Sequence, residues 1–447
     1  MENFSRRQFL ASSSKLAAGA GLASLPVVDA LADNPKKKTA ANDKVQIALI
    51  GCNGMGWSNL NSHLKLPEVE VVGLCDVDNN VLTRRSAELE KMTGKKVTQY
   101  KDFRKVLENK DVDAVIIATP DHWHCLTMVN ACEAGKDVYV EKPLANSVEE
   151  CQVMMDAAKK YNKVVQVGQW QRSGPHWQKA IDYVQSGKLG KIRLVKSWAY
   201  MGWMKEIQPK PDGPAPAGVD YDMWLGPAEK RPFNPNRFHF NFRWYWDYAG
   251  GLMTDWGVHL IDMVLYGMKA AGPKSVVSMG GKFAYPTGAM ETPDTQQAIY
   301  EFDDFSMIWE HAVGINIGPY NRDHGVAFIG NLGTLVVDRA KWEVFPEIEN
   351  NEYKTAAIPV QARGGADGGL DSHTKNFIEC IKTRQKPNCD VWTAANTAIN
   401  AHLGNIAFKT GRKVYWDAEK QQFKDDPKAN ELLKANYHNG WKLPLMS

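Results

Sequence analysis

The 447 residues carry a formal net charge of +3, so the chain is long enough for two ordinary domains and too nearly neutral to suggest a nucleic-acid partner. A composition that is 44% hydrophobic and 23% charged is that of a soluble globular protein. Seven cysteines, an odd number without a C-x-x-C pair, read as neither a disulfide framework nor a zinc site.

At the start of the chain, Ser5-Arg6-Arg7-Gln8-Phe9-Leu10 is a twin-arginine pattern. An apolar stretch from Leu16 to Val28 and the small-x-small run Ala30-Leu31-Ala32 follow, so residues 1–32 are expected to be an export signal. The stretch is too short and too rich in Gly and Ser to span a bilayer. Residues 33–43, with Lys36, Lys37 and Lys38, read as a solvated linker. Such a signal implies the twin-arginine export machinery, a bacterial periplasmic location and folding before export, with which unpaired cysteines agree.

A dinucleotide-binding domain is expected over 44–168. VQIALIG (45–51) is a continuous apolar run of the kind that forms a central parallel strand. Gly51, Cys52, Asn53, Gly54, Met55 and Gly56 then make an imperfect G-x-G-x-x-G, with Asn53 where the second glycine belongs, leading into a helix over 57–66. VEVVGLCD (69–76) is a second strand. It ends in Asp76, about 20 residues after Gly56, where an acid can accept the ribose hydroxyls of NAD and repel a 2′-phosphate. A helix around 79–92, a strand in AVIIATP (114–120), a helix from His124 to Ala134, a strand in DVYVEKP (137–143), a helix at 147–161 and a strand in VVQVGQ (164–169) complete a doubly wound parallel sheet. His122 and His124 do not read as metal ligands; His124 opens the helix after the third strand, near the cofactor.

The strings TPDHWH (119–124), AGKDVYV (134–140) and Glu141-Lys142-Pro143, with GGLMTDWGVHLID (250–262) further on and VYWD (414–417) near the end, resemble the glucose–fructose oxidoreductase/inositol dehydrogenase/MocA family. The resemblance covers residues 45–447. It implies a Rossmann domain followed by an α+β domain with an open, mostly antiparallel sheet whose exposed face mediates homo-oligomers. It also implies Lys142, Asp255 and His259 as a catalytic trio, and a site lined by Thr119, Pro120, Glu141, Gln169 and Arg172. The chemistry of these residues supports the assignment. Lys142 follows a parallel strand, at the edge where open α/β sheets bind ligands. Oxidation of a secondary alcohol needs a base near the hydroxyl as hydride leaves, and a histidine suits that role. A cis bond at Pro143 would aim Lys142 inward, but the sequence does not settle the isomer.

A second domain is expected over 169–370, with strands at 192–201, 275–284, 296–302 and 305–313. Between them the aromatic segment 202–248 is long for a loop and reads as a substrate wall, with Tyr221, Trp224, His239, Arg243 and Trp246 as candidates. Asp255, His259 and Asp262 fall at i, i+4 and i+7 of a helix capped by Thr254 or Asp255 and ended by Gly267, where one carboxylate could orient the histidine ring. Residues 371–447 are expected to supply helices at 371–383 and 391–409 that pack back on both domains. The expected activity is oxidation or reduction of a secondary hydroxyl of a sugar or glycoside by hydride transfer to tightly bound NAD(H), with NADP disfavoured. An NAD-dependent glycosidase using transient oxidation, elimination and re-reduction is the alternative.

Overall fold

The computed structural model describes residues 44–364 and 368–445. The twin-arginine pattern and the linker at 33–43 lie outside the described residues.

Six strands, β1 (Val45–Ile50), β2 (Val69–Cys75), β3 (Thr98–Tyr100), β4 (Ala114–Ile117), β5 (Asp137–Val140) and β6 (Val165–Val167), form one sheet in the order β3-β2-β1-β4-β5-β6, every pair parallel. The helices α1 (Gly54–His63), α2 (Asn79–Thr93), α3 (Phe103–Glu108), α4 (His124–Glu133) and α5 (Val148–Lys160) make the crossovers. β4 and β5 are buried along their whole length, which is why their sequences are unbroken apolar runs rather than alternating ones. Chain direction around the sheet reverses between β1 and β4, so the carboxyl ends of these strands open a crevice. Helix ends follow local chemistry. Asp78 caps α2 by accepting the Asn80 amide, Gly94 ends it in a left-handed conformation, and Ser147 caps α5 through the Glu150 amide.

Beyond β6 come α6 (Pro175–Gln185), β7 (Ile192–Met201), α7 (Tyr221–Leu225), α8 (Gly251–Asp255) and α9 (Gly257–Met268). They are followed by β8 (Ser275–Gly281), β9 (Thr295–Glu301), β10 (Ser306–Val313), β11 (His324–Gly330), β12 (Gly333–Val337), β13 (Lys341–Pro346), β14 (Ile348–Glu349), β15 (Glu352–Tyr353) and β16 (Ile358–Ala362). The remaining elements are α10 (Leu370–Thr383), α11 (Val391–Thr410), β17 (Val414–Asp417), β18 (Gln422–Phe423) and α12 (Pro427–Glu431). Ten strands join in the order β16-β13-β12-β11-β7-β10-β9-β8-β17-β18, with β7 and β10 parallel and the other pairs antiparallel. The architecture is therefore a Rossmann-type domain plus an α+β domain with a mixed, mostly antiparallel sheet. α9 is central to the packing. Leu260, Ile261, Met263 and Val264 are fully buried, each worth about 1.5–3 kcal/mol of transfer free energy.

Two local expectations are corrected. The helix expected from Asp255 to Gly267 is two helices that meet at Trp256, and Asp255 ends the first instead of capping the second. Gly267 lies inside α9, where a Cβ would sit 2.7 Å from the Phe328 ring, and Lys269 takes the left-handed capping position instead. The glycine was read as a stop, but close helix–sheet packing is what requires it.

Candidate active site

A cleft of about 590 Å³ runs along the carboxyl edge of the parallel sheet. The residues after β1, β2, β4 and β5 supply Gly51, Asp76, Thr119 and Lys142, and the second domain supplies His239, Arg243, Asp255 and His259.

At one end, Gly51 has φ +89°, and a Cβ there would lie 2.5 Å from the Ala118 carbonyl oxygen, so the turn admits only glycine. Asn53 precedes α1 without capping it; its Oδ1 is instead 3.4 Å from the Nη2 atoms of both Arg84 and Arg85. The first-turn N–H groups of α1 are thus left free of side-chain partners and point toward a crevice, as a diphosphate requires. Asp76 accepts the amides of Cys52 at 2.8 Å and Asp78 at 2.9 Å, and burial pushes its carboxyl above the usual range. Asp78 also lines this end and holds His239 Nε2 at 3.1 Å. The glycine cradle, the open helix terminus and this acidic pair together fit a dinucleotide.

At the other end stands a charge cluster. Lys142 Nζ donates to Asp255 Oδ1 at 2.7 Å and to the Asp255 carbonyl oxygen at 3.0 Å, while Arg243 Nε reaches the same Oδ1 at 3.1 Å. The Lys142–Pro143 peptide is cis. Burial alone would raise the Asp255 carboxyl, but the two cations overcome it and hold it down to about 2. Glu141 lines the cleft while accepting from Asn59 Nδ2 at 2.7 Å, and Gly168 leaves room for it, since a Cβ there would lie 2.6 Å from Oε1. His259 is buried between the Trp170 and Trp256 rings, with centroids 6.1 and 6.2 Å away. Desolvation first, then the charges of Arg339, Lys142 and His324, push its pKa well below the ordinary histidine value. The ring is neutral, and its Nδ1 is buried without a partner.

Neither carboxylate expected beside His259 touches it. Asp255 is committed to Lys142 and Arg243, and Asp262 is sealed in a bidentate pair with Arg172 at 2.8–3.0 Å, with Thr397 Oγ1 adding a bond at 2.9 Å. Asp262 is an anchor, not an orienter of the ring.

Of the other expected site residues, Asn53, Gly54, Met55, Thr119, Pro120 and Trp224 line the cleft. Six do not, and their expected positions are corrected. Gly56 packs under the loop, where a Cβ would strike the Gly51 carbonyl. His124 is buried, with Nδ1 2.7 Å from the Pro143 oxygen and Nε2 3.0 Å from the Thr119 oxygen, so it braces the two loops from behind. Gln169 is held by Cys389 Sγ at 3.0 Å, and Arg172 by Asp262. Tyr221 stacks on Trp224 and donates to the Pro232 oxygen. Trp246 lines a separate cavity of about 270 Å³, with Lys409 Nζ 4.0 Å from its ring centroid. Aromatic composition marked the wall but not which rings face inward.

Sequence reasoning missed four groups that do line the cleft. Asp121, inside the TPDHWH string, is buried with its carboxyl pushed up to about 8 by desolvation, an effect that Arg243 and Lys142 only partly offset. Trp170 and Arg339 flank His259, and Trp203 with Phe240 forms an exposed aromatic pair at the mouth, ring centroids 6.2 Å apart. Among the described residues, no three His, Cys, Asp or Glu side chains gather as a metal site, and no helix is long and apolar enough to cross a membrane.

A parallel sheet with a cradle for a diphosphate and a Lys–Asp–His cluster near its carboxyl edge is the architecture of a dinucleotide-binding Rossmann domain. Residues 45–169 match the family model described as the oxidoreductase family NAD-binding Rossmann fold, and residues 191–443 match that of the oxidoreductase family C-terminal alpha/beta domain. The chain belongs to the Gfo/Idh/MocA oxidoreductase family. Over 228 residues, 47% of this chain and 50% of the relative, it is 30% identical to a glycosyl hydrolase family 109 protein of Shewanella sp. (strain W3-18-1). Over the same shares it is 29% identical to an alpha-N-acetylgalactosaminidase of Shewanella oneidensis. The chain thus spans about half the length of the curated relatives it matches. In fold it is similar to a levoglucosan dehydrogenase solved with NADH and levoglucosan, with a TM-score of 0.64 and 19% identity over 83% of this chain and 99% of that one.

Proposed function

We propose that the chain oxidises or reduces a secondary hydroxyl of a sugar or glycoside, using NAD(H) rather than NADP(H). The observation that carries this reading is the Lys142–Asp255 pair, 2.7 Å apart in the same cleft as a neutral His259. Nicotinamide, when bound, takes a hydride from a carbinol carbon or returns it. Lys142, held by Asp255, donates a hydrogen bond to the substrate oxygen and stabilises negative charge developing there. His259 meets the cleft through Nε2, since Nδ1 is sealed, and moves the hydroxyl proton at that atom. Gly51, Asn53, Gly54 and Met55 hold the diphosphate. Asp76 and Asp78 accept ribose hydroxyls and repel a 2′-phosphate, which supports NAD.

A second reading is favoured by the glycosidase relatives. In an NAD-dependent glycosidase the same cluster would act on a ring ketone, where the neighbouring C–H is acidic enough for His259 to remove and the glycosidic substituent leaves. We also propose that the chain is exported to the periplasm by its twin-arginine signal. Export there supports a tightly held cofactor, and the apolar side chains exposed on the second sheet, Met279 and Ile299 among them, support a homo-oligomer.

The test is mass spectrometry of a denatured extract for bound dinucleotide, followed by a glycoside panel read at 340 nm. Ketone accumulation supports the dehydrogenase, and aglycone release without net redox change supports the glycosidase. A nucleotide-free extract, together with no absorbance change for any sugar supplied with NAD, overturns both.

A further inference from the structure

Among the described residues, the arginines and the lysine around the Lys142–Asp255–His259 cluster are paired with carboxylates in all cases but one. Lys142 and Arg243 share Asp255, and Arg172 has Asp262. Arg339, in the turn between β12 and β13, has no carboxylate partner among the described residues. Its Nε donates to Gln171 Oε1 at 3.1 Å, and its guanidinium carbon lies 4.7 Å from the Trp170 ring centroid and 4.2 Å from that of Trp256. Arg339, Trp170 and Trp256 line the cleft beside His259.

The arrangement is built rather than accidental. Gln171 is fixed in turn by the His259 carbonyl, which its Nε2 reaches at 3.2 Å, so the guanidinium is registered against the backbone of the candidate base. The adjacent Asp338 is unavailable as a counter-ion. Its Oδ2 is 2.9 Å from Arg322 Nη1, and its Oδ1 accepts the amides of Ala340 and Lys341. Two indole faces and one amide thus hold the guanidinium in place, while Nη1 and Nη2 make no hydrogen bond within the described residues. The charges of Asp255 and Asp323 favour the cation from beyond pairing distance, yet burial outweighs them, so part of the desolvation cost of this arginine stays uncompensated. That cost is offset when a planar carboxylate meets the fork with two parallel hydrogen bonds.

We infer that Arg339 recognises a carboxylate on the substrate, so that the sugar accepted by this cleft is a hexuronic acid or its glycoside rather than a neutral hexose. This rests on the reading of the cleft as a sugar-oxidising site. It adds substrate charge to that reading, and it assigns Trp170 and Trp256 as the rings that hold the guanidinium.

The experiment uses the full chain and reads binding separately from turnover. Quenching of tryptophan fluorescence is titrated with a methyl hexuronide, the corresponding neutral methyl hexoside and a hexose 6-phosphate, and NADH formation is followed with the same three probes. The expected result is that the hexuronide binds roughly 10- to 100-fold tighter than the neutral hexoside, the range for a charge-assisted pair. Arg339→Gln should bring hexuronide affinity down to that of the hexoside, and Arg339→Lys should restore part of the difference. Equal binding of hexuronide and hexoside by the unaltered chain overturns the inference, as does tighter binding of the phosphate. An equal fall in kcat for charged and neutral sugars in Arg339→Gln also overturns it, since that places the charge at the reacting oxygen. Hexuronide preference in binding without NADH formation from any probe, in a protein whose extract is also nucleotide-free, would leave the carboxylate site standing and sink the oxidoreductase reading.

Discussion

Lys142 and Asp255 meet twice, Nζ touching both the carboxylate at 2.7 Å and the main-chain carbonyl at 3.0 Å. The ammonium is therefore fixed in direction as well as in charge. Replacing Asp255 with Asn leaves Lys142 and Arg243 as adjacent cations without a counter-ion. We expect kcat to fall by roughly 10²–10⁴-fold and stability to drop by about 3–5 kcal/mol, the range for breaking a buried pair. Steady-state kinetics alongside urea denaturation checks both.

His259 is neutral because burial and the charges of Arg339, Lys142 and His324 all oppose its protonation. A lowered pKa means that the base form persists as pH falls, so the acid limb of kcat/KM lies well below the ordinary histidine value of 6.5. A profile that breaks near 6.5 in the unaltered protein would remove His259 from the role of base.

Asp121 behaves in the opposite sense to Asp255. Its carboxyl is raised from 3.8 to about 8, so between those values the unfolded chain releases a proton that the folded chain keeps. Rising pH therefore costs stability across this window, and the full cost is reached above about 8. Asp121→Asn is expected to raise Tm at pH 9 and to leave it unchanged near pH 3. A variant that melts lower than the parent at pH 9 contradicts this.

Arg172 and Asp262 form a cross-brace between the segment after β6 and α9, with the Asp262 side chain fully buried. Arg172→Ala is expected to cost about 3–5 kcal/mol in denaturant while leaving KM for the sugar unchanged in the folded fraction. A selective rise in KM would return Arg172 to the substrate wall.

Gly51→Ala forces a side chain toward the Ala118 carbonyl at a φ of +89°. Dinucleotide content, measured by mass spectrometry after purification, should fall to background while the circular dichroism of the second domain is retained.

Much of this architecture was legible in the chain. β1, β4 and β5 announce themselves as apolar runs almost wholly buried, β2 as a run that is only half-buried on one face at its start, and β7 has the limits its alternation predicts. The strands β11 to β13 were not read. In β11 and β12, residues such as Val326, Ala327, Phe328, Leu335, Val336 and Val337 are buried on both sides, so no period distinguishes them from any other apolar run, whereas β13 alternates over only 6 residues. The cluster of Lys142, Asp255 and His259 came into view through motif strings, and with it Lys142 as the partner of the Asp255 and His259 stripe, but the arginines that share their carboxylates did not. Spacing placed Asp255, His259 and Asp262 on one face, whereas the break at Trp256 and the competing Arg172, Arg243 and Lys142 decide what each carboxylate touches. Arg339 gave no signal at all. It becomes significant only through the two indoles, distant in sequence, that the fold brings around it.

The bond between Lys142 and Asp255 joins residues 113 apart in sequence, one from the parallel sheet and one from the segment that leads into the second. It acts as a rivet through the floor of the cleft. Prising the two walls apart would break a charge pair whose members are both largely buried, which favours ligand entry over the rim. There Trp203 and Phe240 stand more than half exposed, at 56% and 54%, with the Phe240 ring centroid also 4.6 Å from the Arg243 guanidinium carbon. Ligand release is therefore expected to respond to substitution of these two aromatic side chains at the doorway more than to any movement of the two walls.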